Sequence, residues 1–202
     1  MPDMSVADVN YHQGMTRWQP DSRGRLEVAA LELYLEQGFD NTTVAEIAER
    51  AGLTERTFFR HFADKREVLF PGGATFQNLI TEGAACAPLD VGPLDAAFAG
   101  LQAVSGFLQE RRAFSQKRQR VISANAELQE RELIKLQALS TALSDTLRSR
   151  GVSDPTAGLV GEVAVALFKT SFEEWVSPKN SRTLSQVLQE SLEELRSFSA
   201  TA

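Results

Sequence analysis

Two short helices, each begun by a threonine and separated by a tight turn, are the feature of this sequence that most limits its fold. Thr43 and Glu46 have the spacing of a capping box, in which each side chain satisfies a backbone group left unpaired at the helix start. Gly52 predicts the end of this helix, because glycine readily takes the left-handed conformation of a C-terminal cap. The apolar residues between them fall on one face of the helix: Val44, Ile47, Ala48 and Ala51.

The second helix follows almost at once. Only Leu53 separates Gly52 from the next threonine cap, Thr54, and Phe58 and Phe62 are spaced to point back at the first helix. Two short helices joined by a glycine-containing turn are the geometry that places the second helix in the major groove of DNA. The outward face of that second helix then carries Glu55, Arg56, Thr57, Phe59 and Arg60.

The rest of the chain reads as further helices, so we predict an all-α protein. A preceding helix ends at Gly38, and residues 1–21 show no helical period and are predicted to be a flexible arm. Residues 71–73, Pro-Gly-Gly, divide a helix-turn-helix domain at 22–70 from a ligand-binding and dimerisation domain at 74–202. The helices of this second domain are predicted at about 74–86, 93–110, 111–122, 125–150, 155–176 and 181–198.

The overall charge argues against a nucleic-acid partner, but its distribution argues for one. The net charge is −6 and the isoelectric point is near 5.1. Residues 54–66, however, carry four basic and two acidic side chains, and a local cluster of Lys and Arg is what binding to phosphates requires. The acidic excess lies elsewhere in the chain.

Residues 22–70 resemble the tetracycline-repressor (TetR) family of bacterial regulators. The resemblance rests on TTVAEIAERAGLT at 42–54 and TFFRHF at 57–62, with Gly38-Phe39 before them and Lys65 after them. It covers about a quarter of the chain and combines caps, turn and aromatic spacing, which makes it specific. It implies a homodimer of about nine helices per subunit that releases DNA when a ligand enters the C-terminal part.

The resemblance also assigns the DNA-binding residues position by position. It implies phosphate contacts for Thr43, base-edge or phosphate contacts for Arg56 and Thr57, and phosphate contacts for His61 and Lys65. Phe59 stands where the family usually has a tyrosine, so its contact is restricted to apolar groups such as a thymine methyl. Without the family resemblance, an arginine on a helix surface is more often only solvated than in contact with DNA. A lone histidine is more often a half-buried packing residue. The complete predicted set is Thr43, Thr54, Arg56, Thr57, Phe59, Arg60, His61 and Lys65.

The C-terminal part carries apolar and aromatic residues at helical spacing, which form either a core or a pocket for an apolar ligand. RQRVI at 118–122, ELQERE at 127–132 and Trp175 are similar to the TetR subgroup associated with acyl-CoA-like ligands, although Ala126 stands where the family often has proline. The resemblance therefore implies a small apolar or acyl-type effector. The predicted ligand-binding residues are Phe98, Leu101, Phe107, Phe114, Arg118, Val121, Ile122, Asn125, Phe168, Phe172 and Trp175.

Apolar stripes on the last two helices either pair within one chain or pack against a second copy. The family resemblance favours a homodimer through these two helices. A two-fold dimer places two recognition helices about one DNA turn apart, which implies a palindromic operator. The stripes are Leu159, Val163, Leu167 and Thr170, then Leu184, Val187, Leu188, Ser191 and Leu195.

Other functions find little support in the sequence. His12 and His61 are the only histidines, and there is no catalytic triad ordering, metal-ligand spacing or phosphate-binding glycine loop, so we predict no enzyme, no metal and no cofactor. An adaptor that binds only protein through residues 155–198 remains an alternative. Cys86, the single cysteine, is predicted to be a small buried thiol rather than a redox sensor. No apolar run is long enough for a membrane span and no secretory signal is evident, so we expect a cytoplasmic protein.

Overall fold

The computed structural model of the protein describes residues 22–201, with side chains up to residue 197. Within this range the chain forms nine α-helices and one 3-10 turn, Glu67–Leu69, and no strand, which confirms the predicted all-α class. The predicted arm, residues 1–21, lies outside the described residues. The helices are α1 (Ser22–Gln37), α2 (Val44–Arg50), α3 (Glu55–His61), α4 (Gly73–Ala85), α5 (Pro93–Gln109), α6 (Arg112–Ser123), α7 (Ala126–Ser149), α8 (Asp154–Val176) and α9 (Leu184–Thr201).

Glycines end the first two helices, as the sequence predicts. Gly38, after α1, has φ +87°, and Gly52, after α2, has φ +64°. Side chains with a Cβ rarely adopt this backbone conformation, so glycine allows the chain to leave each helix sharply. The turn between α2 and α3 is therefore fixed by local backbone preference before any tertiary contact forms.

Helices α1, α2 and α3 pack around one apolar core, with Leu26, Ile47 and Phe58 fully buried. This core also takes in Ile122 of α6 and Leu128 of α7. The helix-turn-helix unit therefore rests on the remainder of the protein through shared apolar contacts. Because α1 and α6 share this core, a displacement of α6 would change the packing contacts of α1.

A second core joins α4, α5, α7, α8 and α9. A close approach lies between α4 and α5, where a Cβ placed on Gly100 would lie 2.2 Å from the carbonyl oxygen of Ile80. Only glycine permits this distance, because a real Cβ atom needs more than 3 Å. The close contact makes α4 and α5 a stiff pair.

The prediction that Cys86 is buried was wrong. Cys86 is the C-cap of α4 and its side chain is exposed, because the neighbouring Ala84 and Ala87 take the buried positions. Among the described helices, none combines the length and the apolar character that crossing a bilayer demands.

Candidate functional site

The two threonine caps begin α2 and α3 as predicted. The Thr43 hydroxyl accepts a hydrogen bond from the backbone N–H of Glu46 (3.2 Å), and the Glu46 carboxylate accepts one from the N–H of Thr43 (2.8 Å), which completes the capping box. These bonds hold the pKa of Glu46 below its ordinary value. Thr54 caps α3 by accepting from the N–H of Thr57 at 3.2 Å. The start of α3 is thereby fixed in position.

Arg25 of α1 fastens the turn between the two helices, a role that the sequence did not reveal. Its guanidinium donates to the carbonyl oxygen of Ala51 and, at 3.3 Å, to that of Gly52. These carbonyls lie at the C-terminal end of α2, where the partial negative charge of the helix favours a cation. Arg25 therefore sets the orientation of α3 relative to α1.

Lys65 fastens the loop before α2. Its ammonium donates to the carbonyl oxygens of Phe39 (2.8 Å), Asp40 (3.3 Å) and Thr42 (2.9 Å), and it lies 4.4 Å from the centre of the Phe39 ring. An ammonium group has three donors, and each has an acceptor within the protein. In this arrangement Lys65 places the N-terminus of α2, including Thr43.

The outward face of α3 presents a mixture of basic and aromatic groups. Arg56 and Arg60 are exposed, and Phe59 is 56% exposed although the adjacent Phe58 is fully buried. Thr57 is half-buried, with its hydroxyl 3.1 Å from that of Thr54. Because Phe58 is the only buried residue of α3, the polar face of the helix is left available to a partner.

His61 lies at the end of α3 and is half-buried. Its Nε2 atom is 2.9 Å from the Ser22 hydroxyl and 3.4 Å from a terminal nitrogen of Arg60. The ring therefore links the start of α1 to the end of α3, beside the predicted DNA-facing surface.

A cavity of about 540 Å³ lies between α4, α5, α6, α7 and α8. Apolar side chains form most of its wall, and Phe76 and Phe172 each contact Phe168 there, at ring separations of 5.4 and 5.7 Å. Leu69 and Phe70, at the end of the 3-10 turn, complete the wall. The cavity thus touches both the helical body and the last residues of the helix-turn-helix domain.

Five of the eleven residues predicted to bind a ligand line this cavity: Phe107, Phe114, Arg118, Phe168 and Phe172. They come from α5, α6 and α8, and the fold brings them together. Gln119, which the sequence offers with Arg118 and Asn125 as a polar group to orient a ligand, also lines the wall. The sequence did not single out the other acidic and amide groups there, because they have the composition of an ordinary solvated helix face: Glu67, Gln77, Glu132 and Glu173.

The structure places the other six predicted residues away from the cavity. Val121 and Ile122 belong to the first core, because the end of α6 turns them toward α1. Asn125 caps α7 by accepting from the N–H of Leu128 at 3.2 Å. The remaining three pack in the second core: Phe98, Leu101 and Trp175.

Arg118 connects the cavity to the helix-turn-helix domain. Its Nε atom donates to the carbonyl oxygen of Leu69, a terminal nitrogen donates to Glu132 at 3.1 Å, and the guanidinium lies 4.8 Å from the centre of the Phe70 ring. Burial lowers the pKa of Arg118, and the charge of Glu132 opposes this effect.

Glu67 makes a second connection between the helix-turn-helix domain and the helical body. Its carboxylate accepts from Arg131 and, at 3.0 Å, from Lys135, both on α7. Arg66, beside it, pairs with Glu127 at 2.8 Å. We call the contacts of Arg66, Glu67 and Leu69 with α6 and α7 the seam.

The last two helices differ in what they expose. On α9 the apolar residues Leu184, Val187 and Leu188 are buried against the same chain. On α8 the predicted stripe is divided: Leu167 is buried in the second core and Val163 is half-buried, whereas Leu159 is 65% exposed. Ala166 is exposed on the same face as Leu159.

Two family models match the chain. The model described as bacterial regulatory proteins of the tetR family matches residues 28–70, and that described as the MftR C-terminal domain matches residues 91–199. The second match alone spans more than half of the chain.

Individual proteins are similar to the chain as well. The HTH-type transcriptional regulator TcmR of Streptomyces glaucescens is 37% identical over 89 residues, which are 44% of this chain and 39% of TcmR. The chain thus matches about two fifths of the length of this relative.

Solved structures share the fold. A transcriptional regulator of Pseudomonas aeruginosa PAO1 is 18% identical with a TM-score of 0.62, over 91% of this chain and 93% of that one. The fatty acid degradation regulator FadR of Bacillus halodurans is 16% identical with a TM-score of 0.59, over 85% and 96%. At these identities the likeness concerns the fold.

Proposed function

The chain belongs to the TetR family of bacterial transcriptional regulators, and on this basis we propose that it is a cytoplasmic, ligand-responsive repressor that binds a palindromic operator as a homodimer. The observation that carries the proposal is the outward face of α3, where Arg56, Phe59 and Arg60 are exposed beside a fully buried Phe58. No enzymatic step is part of the proposal.

The exposed face of α3 has the chemistry of a DNA-reading helix. Arginine donates two parallel hydrogen bonds to a guanine edge, and an exposed aromatic ring packs on a thymine methyl or a sugar. The free side-chain donors of Arg56 and the ring of Phe59 supply these two contacts. His61, at the end of the helix, supplies a phosphate contact. Thr43 does so when its hydroxyl turns from the Glu46 carboxylate, to which it donates at 2.7 Å, toward the phosphate, and Lys65 acts by placing Thr43.

The cavity is the proposed effector site, for a small apolar or acyl-type molecule. Aromatic and aliphatic side chains line most of it, and its volume of about 540 Å³ is within the range of small-molecule pockets. Leu69 and Phe70 belong to its wall and also to the helix-turn-helix domain. A ligand that presses on this wall therefore competes with the contacts of Arg118 to Leu69 and Phe70.

This competition couples the binding of the ligand in the cavity to the release of DNA from α3. The seam holds the helix-turn-helix domain on α6 and α7 through Arg118 and Glu67. If the ligand favours a conformation in which the seam is displaced, the two α3 helices of a dimer lose their spacing and the operator affinity falls.

The dimer is proposed to form through α8 and α9. The exposed stripe of Leu159 and Ala166 on α8 provides an apolar strip for a two-fold partner, and α9 packs beside α8. Because a two-fold axis duplicates the DNA-reading face, the operator is expected to be palindromic.

The test is selection of bound duplexes from a random DNA pool by the full chain, followed by affinity measurement over a range of salt concentrations. We expect one enriched sequence with two-fold symmetry and an affinity that falls steeply with salt, because phosphate binding releases counterions. A chain that enriches no sequence, or binds all duplexes equally, would instead favour the adaptor hypothesis.

A further inference from the structure

One residue of the cavity wall carries a buried polar atom that has no hydrogen-bond partner among the described residues. The side-chain oxygen of Gln119, on α6, is buried and has no hydrogen-bond partner among the described residues, and Gln119 lines the cavity. Buried acceptors in folded proteins almost always have a partner, so an orphan one calls for an explanation such as a ligand. The other buried polar atom in this condition, Nε of Arg112, belongs to a side chain outside the cavity wall.

The basic side chains of the cavity wall differ from Gln119, because each of them already has a carboxylate partner. Arg118 pairs with Glu132, Lys135 with Glu67, and Lys169 with Glu173. The remaining two, Arg23 and Arg111, both pair with Glu27. The basic groups of the wall thus already have acceptors, whereas a hydrogen-bond donor would find the Gln119 oxygen unoccupied.

We propose that the effector of this protein is an apolar molecule with a neutral hydroxyl or N–H group, which donates a hydrogen bond to the side-chain oxygen of Gln119. The inference rests on the proposed function, since it takes the cavity as the effector site, and it narrows the chemical class of the ligand. A neutral donor satisfies the buried acceptor and leaves the five ion pairs intact. A carboxylate has no proton to donate at neutral pH, and an ether only accepts.

The position of Gln119 gives the bond a regulatory consequence. Gln119 follows Arg118, the residue that donates to Leu69 across the seam. A ligand anchored on Gln119 is therefore held beside the contact whose loss is proposed to release DNA, and an apolar molecule of the same size without a donor is held less firmly there.

The experiment compares three twelve-carbon probes, 1-dodecanol, dodecyl methyl ether and dodecanoate, by calorimetric titration into the full chain below their aggregation concentrations. We expect dodecanol to bind about tenfold more tightly than the ether, the usual effect of satisfying or leaving unsatisfied one buried acceptor, and more tightly than dodecanoate. Gln119→Leu should remove the preference for the alcohol. Gln77→Leu, which changes another glutamine of the same wall, should keep it.

Equal binding of the alcohol and the ether by the unchanged protein would overturn the donor requirement and leave the cavity as an effector site. The tightest binding by dodecanoate, or a preference for the alcohol that survives in Gln119→Leu, would also overturn it. If none of the three probes binds, both the inference and the proposed effector site are refuted. Because the probes are first compared on the unchanged protein, the test stands even where a variant fails to fold.

Discussion

The ammonium of Lys65 lies 2.9 Å from the carbonyl oxygen of Thr42, at the residue just before the cap of α2. With the carbonyls of Phe39 and Asp40 as further acceptors, Lys65 ties the end of the helix-turn-helix domain to its first loop. The family resemblance assigns Lys65 to a DNA phosphate, but in this structure its donors hold the loop that positions Thr43.

Replacement of Lys65 tests this commitment. We expect Lys65→Met to lower the free energy of unfolding by about 2 kcal/mol, because three carbonyls lose a charged donor, and to weaken operator binding through the displaced cap. Urea unfolding of the variant measures the first effect. Lys117→Met, at an exposed position of α6, is the control and should leave stability almost unchanged. A variant with full stability and weakened DNA binding would show that Lys65 acts on phosphate alone.

The close approach of α4 and α5 gives a matched pair of glycine variants on one helix. Gly100→Ala should destabilise the protein by about 3 kcal/mol or more, since its Cβ would lie 2.2 Å from the Ile80 carbonyl oxygen and the helices must separate. Gly106→Ala meets no atom within 4 Å and should stabilise α5 by about 0.5–1 kcal/mol. Thermal unfolding of the two variants measures both signs, and similar shifts in the two would contradict the close approach.

The seam predicts an effect of Arg118 on DNA binding without any ligand. Lysine keeps the charge, but its compact ammonium replaces the planar fork whose Nε and terminal nitrogen reach Leu69 and Glu132 from two different edges, so these bonds are weakened. We expect Arg118→Lys to speed hydrogen exchange at residues 66–70 and to lower operator affinity about tenfold. Arg148→Lys is the control, since Arg148 also bonds two acceptors, the carboxylates of Asp145 and Asp154, but lies near the far end of α7. Unchanged hydrogen exchange at residues 66–70 in Arg118→Lys would contradict the claim that the Arg118 contacts hold the helix-turn-helix domain in place.

The sequence alone could predict whatever depends on residues close together in the chain. The caps at Thr43 and Thr54, the turn at Gly52 and the inward side of Phe58 follow from spacings of three or four residues and from the backbone freedom of glycine. The structure confirms all of these.

What depends on contacts between distant segments could not be predicted. The helical pattern marks Val121 and Ile122 as apolar, but only the path of the chain decides that they meet α1 rather than the cavity. Arg25 and Glu67 resemble ordinary solvated residues until the turn and α7 are placed beside them. A buried acceptor such as that of Gln119 is visible only when every neighbouring donor has been located.

The central claim, that α3 reads DNA, is tested most directly by operator binding of Arg56→Ala. The matched control is Arg148→Ala, which removes the same charge near the far end of α7. Arg148 lies twenty residues, or about 30 Å by the helical rise, from Leu128, where α7 joins the core of the helix-turn-helix unit. Fluorescence anisotropy with the selected operator should show affinity lowered about tenfold or more for Arg56→Ala, with unchanged folding and dimerisation, and wild-type affinity for the control. Wild-type affinity in Arg56→Ala as well would contradict the assignment of α3 as the DNA-reading helix.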